Sequence, residues 1–266
     1  MEYLKFILYG LIQGLTEFIP VSSTAHLKVV SEFLGFEDPG YSLSAIIQLG
    51  SVLALLYYFR DDFIKFKGKS SKKLFHNLLH EKIFWSVLIG TIPIVFVGAV
   101  IKLFVPFLFN MYLRSNLSIA LISFFMAIFM YLADISKKGF INLKNLKYSD
   151  SFLIGISQAF AIIPGVSRSG ITISTSFLSG WERRDAAKFS FLLGIPAISF
   201  AAIVEFISSF NEYSSLSFFP LFLGITTTFL SSLLSIDFFL KYISASGLKL
   251  FIIYRIVFGF VILLNV

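Results

Sequence analysis

The chain has 266 residues, of which 57% are hydrophobic and only 14% charged, with 34 Phe, a net charge of +7 and a mean hydropathy of +0.86. A soluble domain needs about a quarter of its residues charged to cover its surface, so this composition excludes one and points to an integral membrane protein. The absence of Cys excludes disulfides, thiolate metal sites and Cys nucleophiles, and in a membrane protein the positive balance marks cytoplasmic loops, with no nucleic-acid partner expected.

A membrane span needs ~20 apolar residues, and the chain is read against that length from its start. The stretch at about 4–30 is apolar but is interrupted by Pro20-Val-Ser-Ser-Thr-Ala-His26, and neither half is long enough to cross. It has no small-residue cleavage site, so a cleaved signal peptide is not expected. A span is predicted at about 42–59, followed by a basic loop at 60–82 holding Arg60, Lys65, Lys67, Lys69, Lys72, Lys73 and Lys82, with His76 and His80 solvated in it. Spans at about 83–104 and 115–133 come next, joined by a loop poor in charge with Arg114. The loop at 134–150 carries Lys137, Lys138, Lys144 and Lys147. A second broken stretch, about 151–179, is interrupted by Pro164-Gly-Val-Ser-Arg-Ser-Gly-Ile-Thr172, and Arg183, Arg184 and Lys188 follow it. The last spans are predicted at about 186–207, 218–238 and 248–264; the loop at 208–217 has no Lys or Arg, and Lys241 and Lys249 flank the final loop. Arg255 falls inside the last span, where an ion pair with Glu205 or Asp237 is expected.

Lys and Arg collect in cytoplasmic loops. Their alternation places 60–82, 134–150, 181–185 and 239–247 in the cytoplasm and the C-terminus outside. The stretch at 151–179 then has cytoplasmic flanks on both sides and must enter and leave by one face; the stretch at 4–30 dips in from the outer face. Both read as re-entrant helical hairpins, which are tolerated at membrane depth only where buried in protein or lining a wet cavity. The expected fold is an all-α polytopic membrane protein with six transmembrane helices and two re-entrant hairpins.

The two hairpins align with each other. Gly10-Leu-Ile-Gln13 matches Gly155-Ile-Ser-Gln158, and Val21-Ser22 matches Val166-Ser167, at one constant offset. The single membrane domain, 1–266, is thus read as two halves, about 1–135 and 150–266. Each half has one hairpin and three spans, and an odd number of spans inverts the second half. Inverted repeats with broken helices build substrate sites near the midplane.

The breaks hold the candidate chemistry. Gln13 and Glu17 are four apart and share a helix face; Pro20 ends that helix; Ser22, Ser23 and Thr24 are natural N-caps for the next; His26 can project to the same side as Ser23. In the second hairpin Gly165 lets backbone approach a ligand, and a helix N-terminus with Ser167, Arg168, Ser169, Gly170 and Thr172 makes an anion cradle suited to phosphate. Charged groups at membrane depth are costly and by default functional, which singles out Glu17, Arg168 and the imidazole of His26.

The strings Gln13-xxx-Glu17, Pro-Val-Ser-Ser-Thr-Ala-His26 and Pro164-Gly-Val-Ser-Arg-Ser-Gly-Ile-Thr172 resemble the undecaprenyl-pyrophosphate phosphatases, the bacitracin-resistance proteins of bacterial inner membranes. The resemblance covers essentially the whole chain; one departure is Gln13, where many members have Glu. It implies hydrolysis of undecaprenyl diphosphate to undecaprenyl phosphate and inorganic phosphate, recycling the lipid carrier for cell-wall polymers. It further implies a divalent cation, Mg2+ or Ca2+, and an active site open to the periplasmic face of the inner membrane. Membrane lipids are the expected surroundings, and a homodimer is compatible with the family.

In that chemistry Arg168, Ser167, Ser169, Thr172 and the helix N-terminus hold the diphosphate. Glu17 binds the metal or orients His26, with Gln13 assisting. Two assignments of the nucleophile stay open, Ser23 activated by His26 or His26 itself. A carrier that flips undecaprenyl phosphate is the rival reading, because many transporters share the inverted-repeat pattern.

Overall fold

The computed structural model describes residues 2–36, 38–61, 82–104, 113–136, 139–208 and 218–264. Eleven α-helices are described: α1 (Glu2–Glu17), α2 (Ser23–Phe33), α3 (Gly40–Ile47), α4 (Leu49–Tyr58), α5 (Lys82–Phe104), α6 (Asn116–Ile135), α7 (Tyr148–Ala159), α8 (Arg168–Leu178), α9 (Arg183–Ser208), α10 (Phe218–Ser246) and α11 (Lys249–Leu263). A 3-10 turn at Phe160–Ile162 follows α7, and an isolated bridge joins Ile141 to Trp181. Four helices are long and apolar enough to cross a bilayer: α5, α6, α9 and α10. The protein is a multi-pass membrane protein with an all-helical fold among the described residues.

Two predicted spans take a different form. The segment expected at 42–59 runs as α3 and α4, parted at Gln48. The last span is α11, with 15 residues, a rise of about 23 Å against a hydrocarbon core of roughly 30 Å. By contrast Pro93 and Pro196 lie inside α5 and α9 without ending them. Most of the basic loop at 60–82, with His76 and His80, lies outside the described residues, as do Lys137, Lys138 and 209–217.

Packing follows small residues. Helix α1 lies along α10, where Gly10 and Gly14 face Gly224, Thr228 and Ser231 so closely that a methyl on either would collide. Ser231 donates to the Gly10 carbonyl at 3.2 Å and Ser235 to that of Leu15 at 2.9 Å. Helix α7 crosses α5 in the same manner: Gly155 meets Gly90, and the Gln158 amide donates to the Gly90 carbonyl at 3.1 Å. Such crossings bring backbones close enough for interhelical hydrogen bonds in a medium with no hydrophobic drive between helices. The interior is Phe-rich, with Phe18, Phe189, Phe191 and Phe239 fully buried beside Leu55, Met126 and Met130. The outer faces of α5, α6 and α10 expose Phe96, Phe125 and Leu234, the pattern of a surface that meets lipid.

Candidate active site

The two helical hairpins present their breaks to each other. α1 ends at Glu17 and α2 begins at Ser23; the second hairpin turns at Gly165 (φ +96°) and restarts at Arg168. Among the described residues Ser22 (φ 75°) and Ser167 (φ 70°) are the non-glycine residues with positive φ. Each holds a backbone state that disfavours a side chain by roughly 1–3 kcal/mol, strain of a kind that gathers at functional sites. Both are N-cap positions. Ser167 Oγ accepts from the Gly170 N–H at 3.2 Å as a cap should, whereas Ser22 makes no side-chain cap and instead lies 3.3 Å from the Thr24 hydroxyl.

Glu17 is the hub. Its Oε2 accepts from Gln13 Nε2 and from Ser23 Oγ, each at 2.7 Å, and its Oε1 accepts from Arg168 Nη2 at 3.1 Å. The ion pair joins the two hairpins with both side chains under a tenth exposed. Breaking such a buried pair by removing one partner costs about 3–5 kcal/mol. Arg168 also donates through Nη1 to the Ser190 carbonyl at 2.9 Å, while its Nε is buried without a partner. The guanidinium lies so flat on Gly194 that a methyl there would overlap it. Ser169 Oγ donates to the Ile19 carbonyl at 3.2 Å and so ties the second break to the first.

Two expected groupings do not form. His26 is not hydrogen-bonded to Ser23. Its Nδ1 meets the Ser22 carbonyl at 2.8 Å and its Nε2 the Tyr254 hydroxyl at 2.6 Å, with the ring stacked on Phe258 at 4.2 Å. A carbonyl only accepts, so Nδ1 carries a proton and donates to Ser22, while the Tyr254 hydroxyl on Nε2 can serve as donor or acceptor. The side chain hydrogen-bonded to Ser23 Oγ is the Glu17 carboxylate. Thr172, expected in the cradle, is fully buried, with its hydroxyl 2.6 Å from Ser190 Oγ and donating to the Arg168 carbonyl at 2.8 Å. It braces the start of α8.

Arg255 takes neither expected partner. Glu205 pairs with Lys102 at 2.9 Å and Asp237 with Lys241 at 2.6 Å. The fully buried guanidinium of Arg255 instead donates to backbone carbonyls of Pro20, Gly165, Val166 and Ser123. A charged residue can be spotted in a sequence, but carbonyl partners leave no trace there. Tyr254, Ser190 and Gly194 were equally silent, being an ordinary aromatic, serine and glycine of apolar helices.

Among the described residues no group of three or more His, Asp or Glu side chains could hold a metal. The oxygens at hand are those of the Glu17 carboxylate and the buried, unpartnered Gln13 Oε1. Mg2+ is commonly bound by one or two carboxylates together with substrate phosphates, and that shared arrangement fits this donor set, whereas a cage built by protein alone does not.

Residues 6–261 match the model of the bacitracin resistance protein BacA family. The chain is 75% identical over 264 residues to an undecaprenyl-diphosphatase of Prochlorococcus marinus (strain MIT 9312), covering 99% of this chain and 98% of that protein. It is 71% identical to the undecaprenyl-diphosphatase of strain MIT 9301, with both chains covered in full. A more distant relative of the same name, from strain MIT 9303, is 44% identical over 96% of this chain and 88% of its own length.

Proposed function

The chain belongs to the BacA family of bacitracin resistance proteins, and from that premise we propose that it hydrolyses undecaprenyl diphosphate to undecaprenyl phosphate and inorganic phosphate. The observation that carries the chemistry is the buried Ser23–Glu17–Arg168 chain across the two breaks. Ser23 Oγ attacks the terminal phosphorus as its proton passes to Glu17 Oε2. The bond from that phosphorus to the bridging oxygen breaks, and undecaprenyl phosphate departs. Water then attacks the phosphorus of the phosphoserine; the phosphorus–Oγ bond breaks, Glu17 returns its proton to Ser23 Oγ, and the water's oxygen and protons leave with inorganic phosphate. Arg168 and the N–H groups at the start of α8 meet the charge that gathers on the transferring group. Glu17 and Gln13 would hold a Mg2+ ion together with the diphosphate, and the ion would supply further charge neutralisation. His26, locked between Ser22 and Tyr254, braces the start of α2 in this scheme.

Six crossings and two re-entrant hairpins in inverted halves are the arrangement we favour, with the site open to the outer face of the bacterial plasma membrane. Three features support it. The positive-φ residues Ser22 and Ser167 fall at matching places in the two halves. Each hairpin packs its first helix on the middle long helix of the other half, α1 on α10 and α7 on α5. The basic residues alternate along the chain as the inside–outside pattern requires. Transport without hydrolysis is not favoured, since the similar proteins carry a diphosphatase name and a carrier needs no hydroxyl bonded to a buried carboxylate.

Phosphate release from undecaprenyl diphosphate by the purified protein in detergent, with and without chelator, tests the reading. Release by the native protein, abolished in Ser23→Ala, is the expected result. A native protein that releases none sinks the phosphatase, and an unimpaired Ser23→Ala moves the nucleophile elsewhere.

A further inference from the structure

Arg255 has no carboxylate partner among the described residues, yet it is fully buried. Its Nη1 donates to the Pro20 carbonyl at 3.1 Å and the Val166 carbonyl at 3.4 Å, its Nη2 to the Gly165 carbonyl, and its Nε to the Ser123 carbonyl at 3.5 Å. Pro20 and Gly165 stand at equivalent places in the two halves, each two residues ahead of a positive-φ serine. One guanidinium therefore bridges the same carbonyl of both breaks. Its planar, rigid fork fixes the separation and the tilt of the peptides it joins, which the single point charge of Lys cannot do. The Ser123 hydroxyl returns a bond to the Arg255 carbonyl at 3.2 Å, so the helix carrying the fork is itself anchored to α6.

We propose that Arg255 is a positioning residue for the hydrolysis. By gripping both breaks it sets Ser23 and Glu17 of the first against Ser167 and Arg168 of the second. This rests on the phosphatase reading above. No hydrogen bond joins Arg255 to Ser23 or Arg168 among the described residues, and it need not touch substrate, so its loss should appear in turnover and not in substrate binding.

The test compares the native protein with Arg255→Lys and Arg255→Gln, each purified in detergent. Rates are normalised to the monodisperse, folded fraction, and kcat and KM for undecaprenyl diphosphate are measured separately. Misplacing reacting groups by about 1 Å can cost on the order of 100-fold in rate, so both variants should lose kcat by roughly that factor. KM should stay within about threefold, and the pH profile should keep its shape, since the fork neither gives nor takes a proton. If Arg255→Lys keeps near-native kcat, charge alone suffices and the clamp is wrong. A loss that falls in KM instead makes Arg255 a substrate ligand, and a loss that vanishes after normalisation makes it purely structural; either overturns the proposal. A silent native protein is a different result, which overturns the phosphatase reading itself.

Discussion

Glu17 accepts three hydrogen bonds from residues of both hairpins, so in the proposed mechanism its carboxylate serves proton transfer and assembly together. Glu17→Gln keeps the size but removes the proton acceptor, and should lower phosphate release by about 10²–10⁴-fold, the usual worth of a positioned base. It also leaves Arg168 buried without its ion-pair partner, so thermal unfolding in detergent should occur at a lower temperature. Tyr254→Phe separates the two roles open to His26. It removes the hydroxyl on Nε2 but keeps the stack, and with Glu17 as base the rate should fall less than tenfold; a loss like that of Glu17→Gln would return His26 to the reaction. The sequence made Glu17, Ser23 and Arg168 legible because hydroxyls and charges stand out inside apolar text. It did not reveal that His26 turns toward α11, because helical spacing tells which face a side chain leaves from and not what waits there.

At the scale of elements, glycines decide what can approach. Gly194 in α9 admits the Arg168 guanidinium, so Gly194→Ala should push that side chain off Glu17 and Ser190 and cut activity by roughly 100-fold while the protein stays folded. Gly98 in α5 is the control: its nearest neighbour, Ile162 Cδ1, would lie 3.7 Å from an added methyl. Gly98→Ala should leave activity intact and tend to stabilise the helix, by up to about 1 kcal/mol. Thermal unfolding and phosphate release on the two variants check both expectations. Helix boundaries were readable to within a few residues where Pro and charge punctuate the chain, as at Pro20 and Pro164. The parting of α3 from α4 at Gln48 was not, since nothing in Ile-Ile-Gln-Leu-Gly forbids a continuous helix.

At the scale of the whole molecule, one polar tie joins the loops that precede two helices. Arg114, before α6, forks onto Asp38, before α3, with Nε to Oδ2 at 2.8 Å and Nη2 to Oδ1 at 2.5 Å. Burial alone would raise the Asp38 pKa, but the hydrogen bond and charge of Arg114 outweigh it and hold the group below its ordinary value. A depressed carboxylate pKa contributes stability above the unfolded value and loses it as pH falls through the folded one. Arg114→Met should therefore destabilise the folded protein at neutral pH, by about 1 kcal/mol for a partly exposed pair. The difference from the native protein should close in strongly acidic buffer; thermal unfolding as a function of pH measures it. The membrane class and the all-helical fold were plain from composition and charge alone. The grip of Arg255 on both breaks was not, because it depends on segments far apart in the chain meeting in space.

The resting bond between Glu17 and Arg168 has a kinetic meaning. Arg168 is already occupied by an anion of the protein's own, so in the proposed mechanism an arriving phosphate must displace a carboxylate rather than fill a vacancy. After hydrolysis the same carboxylate competes to return. A permanent internal rival of this kind caps how tightly free phosphate can be held and favours its dismissal, which suits a site that must turn over in the presence of its own product.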